Sequence, residues 1–299
     1  MSVPVSASPA PRGGLVVLAL LLVYVVWGST YLGIRLALES GLPPLSVISG
    51  LRFVIAGSVL YGVLRWRGVP APTRTQWPTL AVMGFALLFL GNGMVVMAER
   101  DVSSGLAAVA VASVPLWMAL FSAFRGQPIG RGEWLGIAIG FAGVLWLNAG
   151  SSLTSTPRGL VFLLIAPLGW AAGSIWSKGR DLPSPFMAAA AQMLCGGAVL
   201  MTVGLLGGER VHGWPSLQGV LSVGYLSVFG SIVGFTAYVW LLQNVRPVLA
   251  SSYAYVNPVI AVALGAWLAS ERFSGADIGA MVVILAGVVV ITLARVRRA

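Results

Sequence analysis

Apolar runs follow one another along most of the chain, each long enough to cross a lipid bilayer and each followed by a short polar segment. Because about 20 apolar helical residues span the hydrocarbon core of a membrane, each run is read as one membrane-spanning helix. The pattern predicts ten such helices: Leu15–Ala37, Ser46–Leu64, Trp77–Ala98, Gly105–Phe124, Trp134–Ala149, Gly159–Ser177, Pro185–Leu206, Leu217–Leu242, Val248–Ala269 and Ile278–Ala294. They use about two thirds of the chain, which leaves no room for a separate soluble catalytic domain.

An internal repeat relates the two halves of the chain. A separation of 143 positions recurs in several pairs: Trp27 with Trp170, Arg35 with Lys178, and Pro115 with Pro258. Five spans in each half is an odd number, so the halves must cross the membrane in opposite directions and enclose a midplane cavity. We therefore predict an all-α integral membrane protein with ten transmembrane helices as two inverted five-helix repeats, 15–150 and 158–294. Residues 1–14 are predicted to be a disordered tail and residues 295–299 a basic cytoplasmic tail.

Composition and charge support the membrane class and give an orientation. Hydrophobic residues make up 58% of the sequence and charged residues only 9%, too few to cover a soluble globule of 299 residues. The arginines stand at the ends of apolar runs instead of forming a patch, which argues against nucleic-acid binding. With a cytoplasmic N-terminus, the predicted inner side carries twelve Lys and Arg residues and the outer side five. Such a bias predicts that both termini are cytoplasmic.

The ninth predicted span carries a polar cluster that a plain lipid-facing helix does not need. Tyr253, Tyr255 and Asn257 immediately precede Pro258, whereas the equivalent span around Pro115 is bland. Two interrupted spans at equivalent positions point to a transport site between inverted repeats. In a helix Tyr253 and Asn257 share a face and Tyr255 points elsewhere, so at most two of the three are expected to line a cavity. The two prolines are candidate hinges.

Further hydroxyl, amide and aromatic groups fall near the middle of the predicted spans. The additional candidates for substrate binding are Trp27, Thr30, Tyr31, Asn92, Trp170, Ser174, Trp176 and Tyr238. Such a lining suits a small amphipathic, zwitterionic solute with an apolar or aromatic side chain. The alternative is that the aromatic residues form interfacial belts and the hydroxyl residues serve helix packing.

Arg52 is the only charge that the pattern places well inside a span. An intramembrane arginine is costly, and here it is a candidate anchor for a substrate carboxylate. A structural role, such as pairing with Glu99, is the alternative, since the repeat carries Gln192 at the equivalent position. The glycines Gly132, Gly136 and Gly140, spaced by four, mark either a dimer interface or packing within one half, and we favour the second and a monomer.

Missing groups argue against catalysis and against energy coupling. No Asp or Glu falls in the middle third of a predicted span, the only histidine is His212 in a loop, and Cys195 is alone. Intramembrane hydrolysis and conventional proton coupling both need such groups, and no phosphate-binding loop is present for ATP. We therefore expect no enzyme activity, no cofactor or metal, and facilitated transport.

Several segments resemble one transporter family over roughly residues 15–294. They are VYVVWGSTYLGIRLAL, AERDVSSGLAAVAVASVPLWMALFSA and FGSIVGFTAYVWLLQNVRPVLASSYAYVNPVIAVALGAWLASE. These are similar to the EamA-type exporters of the drug/metabolite transporter superfamily. The resemblance implies a ten-helix bacterial inner-membrane exporter of amino acids and related metabolites, working by alternating access. An exporter of organic cations or drugs, or a membrane scaffold that transports nothing, are the alternatives.

Overall fold

The structure is a computed structural model that describes residues 13–102, 107, 110–127, 129–147, 149, 156–211, 213–269 and 275–296. Four parts of the prediction lie outside these residues: most of the N-terminal tail, residues 297–299 of the C-terminal tail, the start of the fourth span at Gly105, and His212. Gly13 and Gly14, assigned to the tail by the sequence pattern, are instead the first residues of a helix.

Every regular element in the described ranges is a helix. The main helices are α1 (Gly13–Glu39), α2 (Pro44–Trp66), α3 (Trp77–Ala98), α4 (Val114–Phe124), α5 (Arg131–Leu147), α6 (Pro157–Trp176), α7 (Pro185–Leu206), α8 (Leu217–Asn244), α9 (Tyr253–Ala269) and α10 (Gly275–Val296). A single helical turn, Pro247–Ala250, lies between α8 and α9. Within the part of the chain described, α1, α2, α3, α6, α7 and α8 are long and apolar enough to cross a membrane. The predicted all-helical class is confirmed, and the lengths and composition of these helices are consistent with a membrane protein.

Local sequence explains where several helices begin and end. The Thr156 and Ser216 side chains accept hydrogen bonds from the backbone N–H groups three residues later, which caps the starts of α6 and α8. Pro185 occupies the first turn of α7, where its missing N–H costs nothing. Gly179, with φ 76°, turns the chain after α6 in a conformation that favours glycine.

Three helices contain π-helical segments: Pro44–Leu51 in α2, Gly84–Gly93 in α3 and Leu226–Phe235 in α8. The segments in α3 and α8 occupy nearly equivalent places in the two halves. A π-helical turn is wider than an α-helical one and changes which side chains share a face, and such turns are frequent at functional sites.

The two halves pack on each other reciprocally at the centre. A Cβ atom on Gly91 would lie 2.6 Å from the Trp170 ring, and one on Gly234 would lie 2.5 Å from Nε1 of Trp27. Gly91 and Gly234 are equivalent in the repeat, as are Trp27 and Trp170. Each tryptophan therefore lies against the helix backbone of the opposite half, in space that only glycine leaves open.

The glycine ridge of α5 packs against α10. Cβ atoms on Gly136 and Gly140 would come within 3 Å of Ile291 and Tyr255, respectively, and one on Gly287 would lie 2.5 Å from the Gly140 nitrogen. The expectation that this ridge packs within its own half is therefore wrong, because α10 and Tyr255 belong to the second half. Small residues let the two helix backbones approach closely.

Polar contacts identify the two ends of the bundle. At one end, called the Glu39 end, the Glu209 carboxylate accepts hydrogen bonds from the backbone N–H groups of Leu45 and Ser46, 3.1 and 2.6 Å away. At the opposite end, called the Lys178 end, Gln76 donates to Asp181 across 3.1 Å. Both contacts join the first half of the chain to the second.

Candidate functional site

A cavity of about 90 Å³ lies between the two halves. This volume holds several water molecules, since one needs only about 10–15 Å³ by this measure. The lining is mostly apolar and comes from seven helices and the segment before α4: Trp27, Thr30, Tyr31, Ile34, Arg52, Phe53, Leu88, Gly91, Asn92, Val95, Val111, Val114, Ala166, Pro167, Trp170, Gly230, Phe235, Tyr253 and Asn257. An apolar lining with a few convergent polar groups is the usual character of a small-molecule site.

Four aromatic side chains pack together beside the cavity, and we call Trp27, Trp170, Tyr238 and Tyr253 the aromatic cluster. The Trp27 ring centroid lies 5.4 Å from that of Trp170, 5.3 Å from that of Tyr238 and 4.7 Å from that of Tyr253. The contacts of Trp27 with Trp170 and Tyr253 are edge-to-face, the arrangement that aromatic quadrupoles favour. Three of the four rings, all but Tyr238, line the cavity.

Hydrogen bonds fix the orientation of the two tryptophans. Trp27 Nε1 donates to the Gly230 carbonyl across 3.0 Å. Trp170 Nε1 donates to the Tyr238 hydroxyl across 2.9 Å, and that hydroxyl lies 2.8 Å from Ser174 Oγ, which donates to the Trp170 carbonyl. Tyr238 and Ser174 thus lie behind Trp170 and hold its ring in place without lining the cavity.

Arg52 lies in the cavity wall at the point where the π-helical segment of α2 ends. The residue is only 3% exposed, its guanidinium donates to Asn92 Oδ1 across 3.0 Å, and its carbon Cζ lies 4.2 Å from the Phe53 ring centroid. Its Nε is buried without a hydrogen-bond partner. The alternative that Arg52 pairs with Glu99 is wrong, because these residues do not form an ion pair within 4 Å.

The cluster around Pro258 divides between two surfaces of α9. Tyr253 and Asn257 line the cavity, and Asn257 Oδ1 is buried without a partner. Tyr255 faces α5 instead, where its hydroxyl donates to the Ile137 carbonyl across 3.3 Å. This division is the one that helical spacing predicts for residues two and four positions apart.

The remaining candidates fall in different places. Thr30 and Tyr31 line the cavity, and the Thr30 hydroxyl donates to the Trp27 carbonyl across 2.7 Å. Trp176 lies at the Lys178 end, where the Arg180 guanidinium covers its ring at 3.6 Å, so it is remote from the cavity. Pro115 is the second residue of α4, directly after a turn, and Pro258 lies inside α9.

Glu99, which the sequence pattern places in an outer loop, directly follows α3; its side chain is half-buried and is not among the groups that line the cavity. Its Oε1 is buried without a hydrogen-bond partner, and its carboxylate interacts electrostatically with Tyr31. Burial raises the pKa of Glu99 to about 8. The sequence does carry a signal for this position: Asn92, Val95 and Glu99 are spaced as one helix face, and the first two line the cavity.

The Lys178 end is closed by basic side chains that cap helix ends. Arg125 donates to the Ile175 carbonyl across 2.6 Å, and Lys178 donates to the carbonyls of Leu242 and Val245. These carbonyls end α6 and α8, where cations are favoured. Burial lowers the pKa of Lys178 to about 8.

An ion pair and a polar pocket complete this closed end. Arg246 and Glu133 form an ion pair at 2.9 Å, with the Glu133 side chain only 3% exposed. Together with Arg125 and Lys178, Arg246 lines a pocket of about 530 Å³. The pair joins the second half of the chain to the first, as Arg125 does, so separating the halves here requires both contacts to break.

Comparisons with known proteins agree with this architecture. Residues 14–149 and 157–293 each match the model of the EamA-like transporter family. The Escherichia coli protein called uncharacterized inner membrane transporter YedA is 46% identical over 93% of this chain and 90% of its own length. A Salmonella typhimurium protein called a probable amino-acid metabolite efflux pump is 27% identical over 93% of this chain and 95% of its own.

One solved crystal structure has the same fold. It superimposes with a TM-score of 0.76 over 96% of this chain and 99% of its own, at 23% identity. The two family matches cover nearly the whole sequence, and the relatives named above are transporters or efflux pumps by name. The chain is therefore a membrane transport protein and belongs to the EamA-like transporter family of the drug/metabolite transporter superfamily.

Proposed function

We propose that this protein exports amino acids with apolar or aromatic side chains, and related small zwitterionic metabolites, across a bacterial inner membrane. Transport is facilitated, and the central cavity opens alternately to the two sides. The substrate and the lipid bilayer are its partners, the protein works as a monomer, and no nucleic acid takes part.

One observation carries the proposal: a buried arginine and an aromatic cluster share one small cavity. Arg52 has a buried nitrogen without a partner and an amide neighbour, Asn92, that orients its guanidinium. A guanidinium in an apolar surrounding binds a carboxylate through charge-assisted hydrogen bonds. The rings of Trp27, Trp170 and Tyr253 offer apolar surface for the side chain of the same molecule.

The proposed topology is ten spans in two inverted repeats with both termini in the cytoplasm. The reciprocal contacts of Trp27 and Trp170 with equivalent glycines support a pseudo-two-fold axis between the halves. Arg125, Lys178 and Arg246 gather at the Lys178 end, which the positive-inside rule assigns to the cytoplasm. In this arrangement the cavity is closed on its cytoplasmic side by basic side chains.

The two prolines at equivalent positions are the proposed hinges. Pro258 lies inside α9 and removes one backbone hydrogen bond beside Asn257, which lines the cavity. Pro115 stands at the start of α4, beside Val114 in the cavity wall. Small rotations at these points change the cavity walls contributed by both halves.

Counterflow in proteoliposomes tests the function directly. Vesicles containing the purified full-length protein are loaded with unlabelled phenylalanine, and uptake of labelled phenylalanine is followed without any ion gradient. We expect exchange that other apolar amino acids inhibit. Folded protein that exchanges no amino acid would refute the proposal.

A second candidate, export of organic cations, is favoured by the aromatic cluster alone. Stacked tryptophan and tyrosine rings attract cations through their electron-rich faces. Arg52 in the same wall opposes a cationic substrate because like charges repel in a low-dielectric cavity. Inhibition of counterflow by quaternary ammonium compounds but not by amino acids would support this candidate over the first.

A further inference from the structure

Two ionisable groups of opposite type, Arg52 in the cavity wall and Glu99 directly after α3, do not pair with each other. Arg52 has an unpartnered Nε and Glu99 an unpartnered Oε1, both buried. Leaving a buried polar or charged atom without a partner costs free energy, and native structures rarely do so without a functional reason. The ion pairs formed by the described residues involve other groups, Arg35 with Glu39 and Arg246 with Glu133.

The position of Glu99 follows from the face of α3 that lines the cavity. Asn92, the partner of Arg52, and Val95 both line the cavity. The Glu99 N–H donates to the Val95 carbonyl across 2.9 Å, so helical hydrogen bonding continues to Glu99. Seven residues of helix place Glu99 about 10 Å along the axis from Asn92 on the same face.

Tyr31 connects Glu99 to the cavity from the opposite wall. Tyr31 of α1 lines the cavity, and its hydroxyl lies within electrostatic range of the Glu99 carboxylate. The carboxylate thus stands at the Glu39 end of the cavity, and the guanidinium stands deeper, beside the aromatic cluster. Along α3 a guanidinium thus stands at the level of Asn92 and a carboxyl group about two helical turns further on, at Glu99.

We propose that Glu99 binds the ammonium group of the substrate while Arg52 and Asn92 bind its carboxylate. The assignment rests on the proposed function and adds to it the group that selects an α-amino acid over a carboxylic acid or an amine. The substrate carries its two charged groups a few ångströms apart. It therefore lies between Arg52 and Glu99 and pairs with each of them, whereas the two protein groups do not pair with each other. The buried Arg52 Nε and Glu99 Oε1 each then gain the partner that they lack among the described residues, and the bound ammonium group favours the ionised form of Glu99.

The arrangement predicts selectivity against molecules with only one of the two charges. A carboxylic acid satisfies Arg52 but leaves Glu99 unpartnered, and an amine does the reverse. A site built to bind a polar group rejects an analogue that lacks it, because the buried partner is then left unsatisfied. The discrimination expected from one charge-assisted hydrogen bond is on the order of tenfold to a hundredfold.

Competition by phenylalanine analogues tests this assignment. Three compounds are compared as inhibitors of labelled phenylalanine counterflow: unlabelled phenylalanine, 3-phenylpropionate, which lacks the ammonium group, and phenethylamine, which lacks the carboxylate. In the wild-type protein we expect both analogues to inhibit at least about tenfold more weakly than phenylalanine. In the Glu99→Gln variant, inhibition by phenylalanine should become about tenfold weaker and approach that of 3-phenylpropionate. Inhibition by 3-phenylpropionate should not change.

A matched control and a second measurement make the result decisive. Glu39→Gln removes an exposed carboxylate at the same end of the bundle. It should change neither the inhibition by phenylalanine nor that by 3-phenylpropionate. In the wild-type protein, carbodiimide modification of Glu99, followed by mass spectrometry, should be slowed by phenylalanine and not by 3-phenylpropionate. This second measurement does not depend on whether Glu99→Gln folds.

Different outcomes separate the two proposals. If the folded wild type exchanges no amino acid, the proposed function fails, and the ammonium site fails with it. Suppose instead that the wild type exchanges phenylalanine. If Glu99→Gln then weakens inhibition by phenylalanine and by 3-phenylpropionate equally, or weakens neither, only the ammonium site is overturned. Equal protection of Glu99 by both compounds overturns it as well.

Discussion

Charged side chains are paired at the Lys178 end of the bundle but not near the cavity. At the Lys178 end, Arg125, Lys178 and Arg246 bind helix-terminal carbonyls or the Glu133 carboxylate. Beside the cavity, Arg52 and Glu99 each keep a buried atom without a partner. Charge that is fully paired stabilises one arrangement of the helices, whereas charge without a partner is available to a ligand. The paired basic side chains hold the two halves together at the Lys178 end, and we call these contacts the Lys178-end seal. The unpartnered groups near the cavity are those expected to bind a ligand.

Removing the Arg52 charge is expected to give the largest effect. Arg52→Gln loses the charge that the proposed carboxylate site needs and should lower exchange of phenylalanine on the order of a hundredfold. Arg35→Gln, a matched change of an exposed arginine, should leave exchange unchanged because surface ion pairs contribute little. Counterflow rates in proteoliposomes measure both, and equal rates in wild type and folded Arg52→Gln would contradict the carboxylate role.

Breaking the seal is expected to open the Lys178 end. Glu133→Gln removes the partner of Arg246 and should favour separation of the halves there, by a population change of about fivefold to thirtyfold. Ser122 lines the pocket at this end and is only 4% exposed. In Ser122→Cys with Cys195→Ala, Glu133→Gln should speed labelling by a water-soluble thiol reagent. Unchanged labelling would remove the seal role.

Two tyrosines provide a smaller and more local test. Tyr238→Phe removes the acceptor of the Trp170 N–H and should weaken phenylalanine exchange by about fivefold to tenfold as the ring loses its orientation. Tyr255→Phe also removes one buried hydroxyl, but this one faces α5, so only thermal stability should fall. Comparing melting temperature with exchange in both variants distinguishes positioning of the cavity wall from general packing.

The smallest expected effect is a pH dependence from Glu99. Because burial raises the pKa of Glu99 to about 8, the carboxylate is mostly protonated at neutral pH and becomes charged as the pH rises through this value. Charged or titratable groups on packed elements are Tyr31, Arg52 and Arg158, with Arg100 and Asp101 adjacent in the chain. Preference for phenylalanine over 3-phenylpropionate should grow a few-fold between about pH 6 and 8, where the amino group of phenylalanine is still protonated. The same profile in Glu99→Gln would assign the titration to another group.

Hydrophobic patterning predicted most helix positions, and its failures have physical causes. The ranges Trp77–Ala98 and Pro185–Leu206 are the same in prediction and structure, since proline and the ends of apolar runs delimit them. Patterning does not distinguish π from α segments, because the same residues favour both. It therefore did not predict the π-helical turns that precede Arg52 or contain Asn92.

For the cavity, helical periodicity predicted which residues share a helix face. It did not predict which of them line the cavity and which lie behind another side chain. Spacing separated Tyr255 from Tyr253 and Asn257, because this depends only on the helical repeat. It did not show that Tyr238 and Ser174 lie behind Trp170, which depends on packing between helices distant in sequence. Glu99 was missed because a charge at the end of an apolar run resembles any other loop charge until the neighbouring helices are in place.

A site that binds both charged groups of a zwitterion also determines what the membrane voltage can do. Moving one elementary charge across 100 mV involves about 2.3 kcal/mol, whereas a zwitterion carries no net charge across. Under the proposed function the substrate has no net charge, so the membrane voltage does no work on the substrate itself, and the direction of its transport follows its own concentration gradient. In a cell with a negative interior, export of such a substrate would meet no electrical opposition, whereas an exporter of organic cations would have to overcome that opposition at every turnover.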